Sequence, residues 1–245
     1  MDSGTVAENR FGKYMVPPGV EQRPAARAVL DGRVYELKTI EFMRANTADG
    51  DIIHAGTFFG DFLPALSTAM APGARIWAFE PNPGSCAAAR ATIALNQLEN
   101  VTLTNAALSD RPDSLHFRTH STEGVPQGGI SKVVGKPGPG VVEVAAAMLD
   151  YAVPLDRKVT ILQLDVEGQE TEAMLGAFHI IHRWTPILIL EDFTRDGWIE
   201  RNFRNLGYVR VGRLHGNYVF ATKEKASQLS MAGVAAGTAE TEAEK

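Results

Sequence analysis

A single cysteine, Cys86, is the whole thiol content of this sequence, which excludes an intramolecular disulfide and any zinc site built on cysteines. It stands at the start of a stretch that reads as a helix and is expected to be a small buried apolar residue. No apolar run approaches the roughly 20 residues that a bilayer-crossing helix needs. The first residues also lack a charged-then-apolar leader pattern, so the expected location is cytoplasmic, with no membrane partner. Positive charge is not in excess: 24 Lys and Arg stand against 29 Asp and Glu, a net charge of −5. No nucleic-acid partner is therefore expected. His116, His120, His179 and His182 show no ligand spacing, and no metal is expected.

What is present is an enzyme-like composition and two short apolar runs with unusual endings. The chain has 245 residues and 44% hydrophobic content, enough to bury one large core. The run Asp51-Ile52-Ile53-His54-Ala55 ends in Gly56-Thr57-Phe58-Phe59-Gly60, and the run Arg75-Ile76-Trp77-Ala78-Phe79 ends in Glu80-Pro81-Asn82. Each is short enough for a buried parallel strand. Gly56 and Gly60 permit a tight turn with close ligand approach, and Glu80, 20 residues beyond Gly60, can accept hydrogen bonds from both hydroxyls of a ribose. A nucleoside site follows, for a dinucleotide or S-adenosylmethionine. The dinucleotide fingerprint requires G-x-G-x-x-G, whereas this turn carries Phe58 and Phe59 where small residues are needed.

Along the chain, residues 1–20 are polar, contain Pro17-Pro18-Gly19, and read as an arm. Helices are expected between Arg23 and Asn46, broken near Asp31-Gly32. Strands are expected at Asp51–Ala55, Arg75–Phe79, Val101–Asn105, Ser114–Thr119, Val141–Ala146, Val159–Asp165 and Pro186–Glu191. Helices fall near Asp61–Met70, Pro83–Leu98, Gln169–His179 and Gly197–Leu206, and Tyr208–Gly212 with Tyr218–Thr222 forms a closing antiparallel hairpin. The division is a helical N-terminal extension (1–46), one catalytic domain (47–224) and a tail (225–245) poor in large apolar residues and expected to be disordered. The fold class is α/β, a Rossmann-like doubly wound, mostly parallel seven-stranded sheet.

Five segments in order carry a family resemblance: Gly56-x-x-x-Gly60, Phe79-Glu80-Pro81-Asn82, Asn105-Ala106-Ala107-Leu108-Ser109-Asp110, Leu149-Asp150 and Leu164-Asp165-Val166-Glu167-Gly168-Gln169-Glu170. Between about Glu36 and Thr222 the chain resembles the FkbM-type family of class I S-adenosylmethionine-dependent methyltransferases. The resemblance implies S-adenosylmethionine as cofactor. It also implies that Gly56, Thr57, Phe58 and Gly60 wrap its methionine part, that Glu80 binds the ribose, that Pro81 and Asn82 lie near the adenosine, and that Ala106 borders the adenine. The family usually has an acid where this chain has His54, so His54 is a cofactor-site candidate in an altered role. Asp61 can supply the missing negative charge or serve the dipole of the helix it begins.

Asp165 and Glu167 are the candidate catalytic carboxylates. Side chains alternate along a strand, so both point to one face at its carboxyl end and Val166 to the other. Asp165 is the first candidate for general base or acceptor orientation, and it also borders the cofactor. Glu170 fits a helix-start role. His215, in the hairpin turn, is a second base candidate. Two neighbouring carboxylates are too few ligands to argue a Mg²⁺ site. The loop Thr119–Gly140, with six glycines and three prolines, is expected to be a lid with Gly128-Gly129-Ile130-Ser131 at its working edge. The implied reaction is methyl transfer to an oxygen or nitrogen of a small-molecule or glycan acceptor, with a hydroxyl on a sugar, glycan or secondary metabolite as the first candidate. The competing readings are a cofactor-binding pseudoenzyme, favoured by His54, and a nicotinamide-dependent oxidoreductase, disfavoured by the glycine pattern. For the N-terminal helices two roles stand open, a cap over the pocket and a homodimer face.

Overall fold

The computed structural model describes residues 4–231 and 235–236. The chain opens with a hairpin, β1 (Thr5–Asn9) and β2 (Gly12–Val16), then α1 (Pro24–Leu30) and α2 (Leu37–Asn46). The α/β alternation runs through β3 (Asp51–Ala55), α3 (Leu63–Ser67), β4 (Ile76–Phe79), α4 (Pro83–Leu95) and β5 (Val101–Thr104). A small excursion follows: β6 (Ala107–Leu108), β7 (Asp113–Arg118), β8 (Lys132–Val133), β9 (Val141–Ala147) and α5 (Leu149–Ala152). The alternation resumes with β10 (Val159–Leu164), α6 (Glu170–Leu175), α7 (Phe178–Trp184), β11 (Ile187–Glu191) and α8 (Asp196–Asn202). It closes with β12 (Tyr208–Leu214), β13 (Asn217–Thr222), α9 (Lys223–Ala226) and β14 (Ala235–Ala236).

The main sheet has the order β12-β13-β11-β10-β3-β4-β5, with the two-residue β14 added beside β12. Strands β5, β4, β3, β10 and β11 are mutually parallel, and β13 and β12 join antiparallel as the expected hairpin. The order reverses between β3 and β10, so the chain winds both ways from that point and leaves a crevice at the carboxyl ends of these strands. Side chains alternate between two cores. Ile53, Leu162, Leu164, Leu188 and Leu190 pack with α6 and α7, while Ile52, Ile161, Ile187 and Ile189 pack with α2 and α3.

Four expectations need correction. The polar N-terminal arm is a hairpin whose Tyr14 and Val16 are buried in a cluster with Phe59 and Ala88. Its alternation is short, and the apolar face it covers comes from distant α4. The strands expected at Ser114–Thr119 and Val141–Ala146 lie outside the main sheet, in a four-stranded sheet of order β6-β9-β7-β8. The helix expected over Gln169–His179 is two helices, because the Asp150 carboxylate accepts the N–H groups of His179 (2.9 Å) and Ile180 (3.0 Å) and caps a new start. Residues 225–231, expected in a disordered tail, are ordered. Lys225 donates to the last carbonyls of α7 and the following turn, at Trp184 (2.8 Å) and Thr185 (2.6 Å), and Ser230 exchanges hydrogen bonds with Asn46. Beyond those and Ala235–Ala236, the tail lies outside the described residues.

Candidate active site

Two adjoining cavities open at the carboxyl ends of β4, β3 and β10. The first has Glu80 and Pro81 on one side and Ala106, Leu108, Phe117 and Val133 as an apolar slot. Glu80 is buried at the tip of β4; one carboxylate oxygen accepts the N–H of Phe58 (2.7 Å) and the other that of Asn82 (2.8 Å). Each oxygen keeps a lone pair for a ligand hydroxyl. Burial pushes its carboxyl up to about 8, against the pull of the two N–H donors. Asn105 fixes this tip from below, donating to the carbonyls of Glu80 (2.7 Å) and Pro81 (3.1 Å).

The glycine turn links the strands. The N–H groups of Gly56 and Thr57 both reach the Phe79 carbonyl, at 3.0 and 3.2 Å. Gly56 has φ +82°, and a Cβ there would stand 1.9 Å from the Asp165 carbonyl oxygen, so only glycine lets β3 and β10 end side by side. Gly60 is used differently. With φ +84° it serves the turn itself, where a Cβ would also stand 3.1 Å from the Leu63 side chain, and it lines neither cavity. Thr57 also turns away, its hydroxyl donating to the His54 carbonyl at 3.1 Å.

The second cavity shares Gly56, Gly129, Asp165 and Glu167 with the first. Its walls are acidic: Glu36, Asp61, Asp165, Glu167 and Glu191 all face it. Asp165 and Glu191 end neighbouring parallel strands that pair at Leu164 and Leu190, on the same face as Ile161 and Ile189. Burial, then hydrogen bonding to the Glu191 carboxyl, holds the Asp165 carboxyl well above its ordinary range. Burial pushes Asp61 and Glu167 up to about 7, with the Glu36 charge adding at Asp61 and the Glu191 charge at Glu167. Val166 packs against the core on the α6 and α7 side, but the strand expected to run to Asp165 ends at Leu164, and Glu167 stands in the following turn with φ +52°, so strand alternation does not set its direction.

His54 also lines this second cavity, stacked on Phe62 with ring centroids 5.2 Å apart. Burial lowers its pKa to about 4, so the ring is neutral. Its Nδ1 bonds to the Gln163 side-chain oxygen, so Nδ1 carries the proton and Nε2 offers a lone pair. Among the described residues, that Nε2 has no partner.

Other expected site residues are placed elsewhere. Asn82 caps α4 through Gly84 N–H (3.0 Å) and Ser85 N–H (3.4 Å), and holds Ser131 at 3.1 Å; it lines neither cavity. His215 stacks on Tyr35, centroids 6.0 Å apart, and lines an outer groove that adjoins the second cavity at Pro24, Tyr35 and Glu36, while His215 itself lines neither of the two cavities. Glu170 accepts the N–H groups of Val166 (3.4 Å) and Gly168 (3.3 Å), a turn-stabilising role. Gly128, Gly129 and Ser131 border the first cavity, and a Cβ at Gly128 would stand 3.0 Å from the Phe58 ring. Glu191 and Glu36 escaped the sequence reading. Glu191 ends an apolar run just as Glu80 does, a usable signal, whereas Glu36 has only its place before an amphipathic helix.

The model of the methyltransferase FkbM domain matches residues 50–210, well over half of the chain. No curated protein matches it. Similar solved structures include a methyltransferase FkbM from Methylobacillus flagellatus KT, at 14% identity and TM-score 0.49, covering 71% of this chain and 43% of that one. The chain thus spans less than half the length of that relative. A precorrin-6y C5,15-methyltransferase from Geobacter metallireducens GS-15 matches at 15% identity and TM-score 0.42, over 76% of this chain and 87% of that one. A SAM dependent methyltransferase from Aquifex aeolicus matches at 12% identity and TM-score 0.42, over 76% and 90%. With the domain matched from the start of β3 into β12, a span that holds Gly56, Glu80, Asp165, Glu167 and Glu191, the chain belongs to the FkbM methyltransferase family.

Proposed function

We propose that this protein transfers the methyl group of S-adenosylmethionine to a hydroxyl of a sugar, glycan or secondary metabolite. The observation that carries this reading is the meeting of the two cavities at Gly56, Asp165 and Glu167. One holds a carboxylate and an apolar slot suited to a nucleoside, and the other holds carboxylates suited to a sulfonium, an ammonium and an acceptor hydroxyl. The adenine would lie between Ala106, Leu108 and Val133, and the ribose hydroxyls would donate to Glu80. The methionine ammonium would meet Asp61 and the His54 lone pair, which takes the place of the family's acid by accepting a hydrogen bond without adding charge.

The bound cofactor supplies an activated methyl on sulfur. The chain's own contribution is alignment, exclusion of water by the Gly128–Ser131 edge, and acceptance of a proton. Asp165 would take the proton from the acceptor hydroxyl as that oxygen receives the methyl group. Incubation with S-adenosylmethionine labelled in its methyl group, over a panel of polyols, glycosides and phenols, tests this reading. Labelled ether products support it; cofactor binding with no transfer to any hydroxyl would favour the pseudoenzyme.

A further inference from the structure

We propose that the outer groove beside the acidic cavity binds a phosphate group carried by the methyl acceptor, which makes the acceptor a phosphorylated hydroxyl compound of the sugar-phosphate class. The groove lies between the N-terminal extension and the closing hairpin. Arg27 lines it from α1, Arg33 from the turn after α1, Lys38 from the first turn of α2, and Arg213 from the end of β12. His215 adds a ring N–H donor in either protonation state. Among the described residues, Glu36 is the one acid of the groove. The chain as a whole carries a net charge of −5, so this gathering of cations is a local feature.

Two of the four cations are already matched: Arg33 pairs with Asp31 at 2.7 Å, and Arg213 stands 3.6 Å from Asp192. Among the described residues, Arg27 and Lys38 have no carboxylate within 4.0 Å. Glu36 is engaged elsewhere, accepting the Thr39 hydroxyl (3.0 Å) and the Asn217 amide (2.8 Å). Two unmatched cations suit a phosphate dianion better than a single carboxylate. The start of the ten-residue α2 adds to the same field independently. Its Ncap, Glu36, gives no side-chain cap, so the first-turn N–H groups at Leu37 and Lys38 lack an intrahelical partner, and both residues line the groove.

Position turns an anion site into an acceptor site. The groove meets the second cavity at Pro24, Tyr35 and Glu36. The Glu36 carboxyl feels His215 from the groove and Glu191 from the cavity. A molecule lying across this junction meets cations at one end and the cavity's acids at the other. Its phosphate is repelled from the cavity and held in the groove, which leaves a neutral hydroxyl to reach Asp165. That role rests on the methyl-transfer reading; phosphate binding itself does not.

Inorganic phosphate is the first probe, titrated into the full-length protein at constant ionic strength and followed by amide NMR. Saturable shifts are expected at the groove residues. The double variant Arg27→Ala, Lys38→Ala is expected to bind phosphate about 2- to 30-fold more weakly, two exposed ion contacts being lost. Arg201→Ala, an exposed arginine of α8, is expected to change nothing. Absence of saturable shifts in the groove would overturn the site, as would a double variant that binds as tightly as the parent; the single variants give the same comparison should the double variant not fold. Labelled methyl transfer to matched sugars and sugar phosphates is expected to show a lower KM for the phosphorylated member, an advantage the double variant loses. Co-sedimentation with phosphatidylglycerol vesicles, abolished in the double variant and without any preference for sugar phosphates, would assign the groove to a membrane surface and overturn the proposal. A double variant with weakened affinity for S-adenosylhomocysteine would assign it to the cofactor's carboxylate, with the same consequence. Transfer to neutral hydroxyls without phosphate binding removes the groove site alone, and phosphate binding without nucleoside binding removes the cofactor reading alone.

Discussion

Replacing Glu80 by glutamine changes the crevice by one atom and removes a charge at the tip of β4. In the parent, two backbone N–H groups, from Phe58 and Asn82, end on the two carboxylate oxygens. An amide can accept at only one of these places, so one buried N–H loses its partner, a cost of about 1–3 kcal/mol. Part of that is offset, because the variant no longer holds a carboxylate in surroundings that push its pKa up to about 8. Ligand binding has no such offset. Hydrogen bonds to a charged acceptor are worth about 1.5–3 kcal/mol each, and one such loss corresponds to an affinity lower by about 10- to 150-fold. Calorimetry with S-adenosylhomocysteine measures it. Because the ribose prefers the ionised carboxylate, affinity in the parent should also rise as pH increases from about 7 to 9, through the pKa near 8, while the variant stays flat. Equal affinity of parent and variant, with no difference in pH profile, would refute the assignment of Glu80 to the ribose.

Four further outcomes are expected. Asp165→Asn should leave cofactor affinity largely intact and lower turnover by about 10²-fold or more, read by steady-state kinetics on the identified acceptor; unchanged turnover removes it as the base. Gly56→Ala should fail to fold or lose most of its thermal stability, since its Cβ would stand 1.9 Å from a backbone oxygen at φ +82°. Asp51→Ala should destabilise by about 1–3 kcal/mol in denaturant titration, because this buried carboxylate accepts Arg157 (2.5 and 2.7 Å), Trp77 Nε1 (2.7 Å) and the Arg75 N–H (2.9 Å). Thermal stability of the ligand-free protein should fall as pH rises. Asp61 and Glu80 bind their protons more tightly folded than unfolded, so their contribution is full below about pH 4 and is lost toward pH 7 for Asp61 and pH 8 for Glu80. A melting temperature that climbs across that window would contradict the burial of these acids.

Much of the crevice was legible because its parts are local. Glu80 and Asp165 stand at the ends of apolar runs, and Gly56 at a turn that only glycine permits, so strand identity fixed their position at one edge of the sheet. The residues misread are those whose role depends on distant partners. Gly60 and Asn82 match a cofactor pattern but line neither cavity, Gly60 serving a left-handed turn and Asn82 capping α4. His215 shares a turn with Asn217, yet stacking on Tyr35 draws it to the outer groove. Glu36 reaches the acids through a left-handed backbone, φ 46°, before α2, which no short-range pattern announces. The N-terminal hairpin was missed for the same reason: Tyr14 is buried against Phe59, 45 residues along the chain.

The most direct measurement is a crystal structure with S-adenosylhomocysteine bound. The account predicts both ribose hydroxyls on the Glu80 carboxylate, the adenine beside Ala106 and Leu108, and the sulfur directed past Gly56 toward Asp165. A nucleoside bound elsewhere, or one that leaves Glu80 untouched, would contradict it.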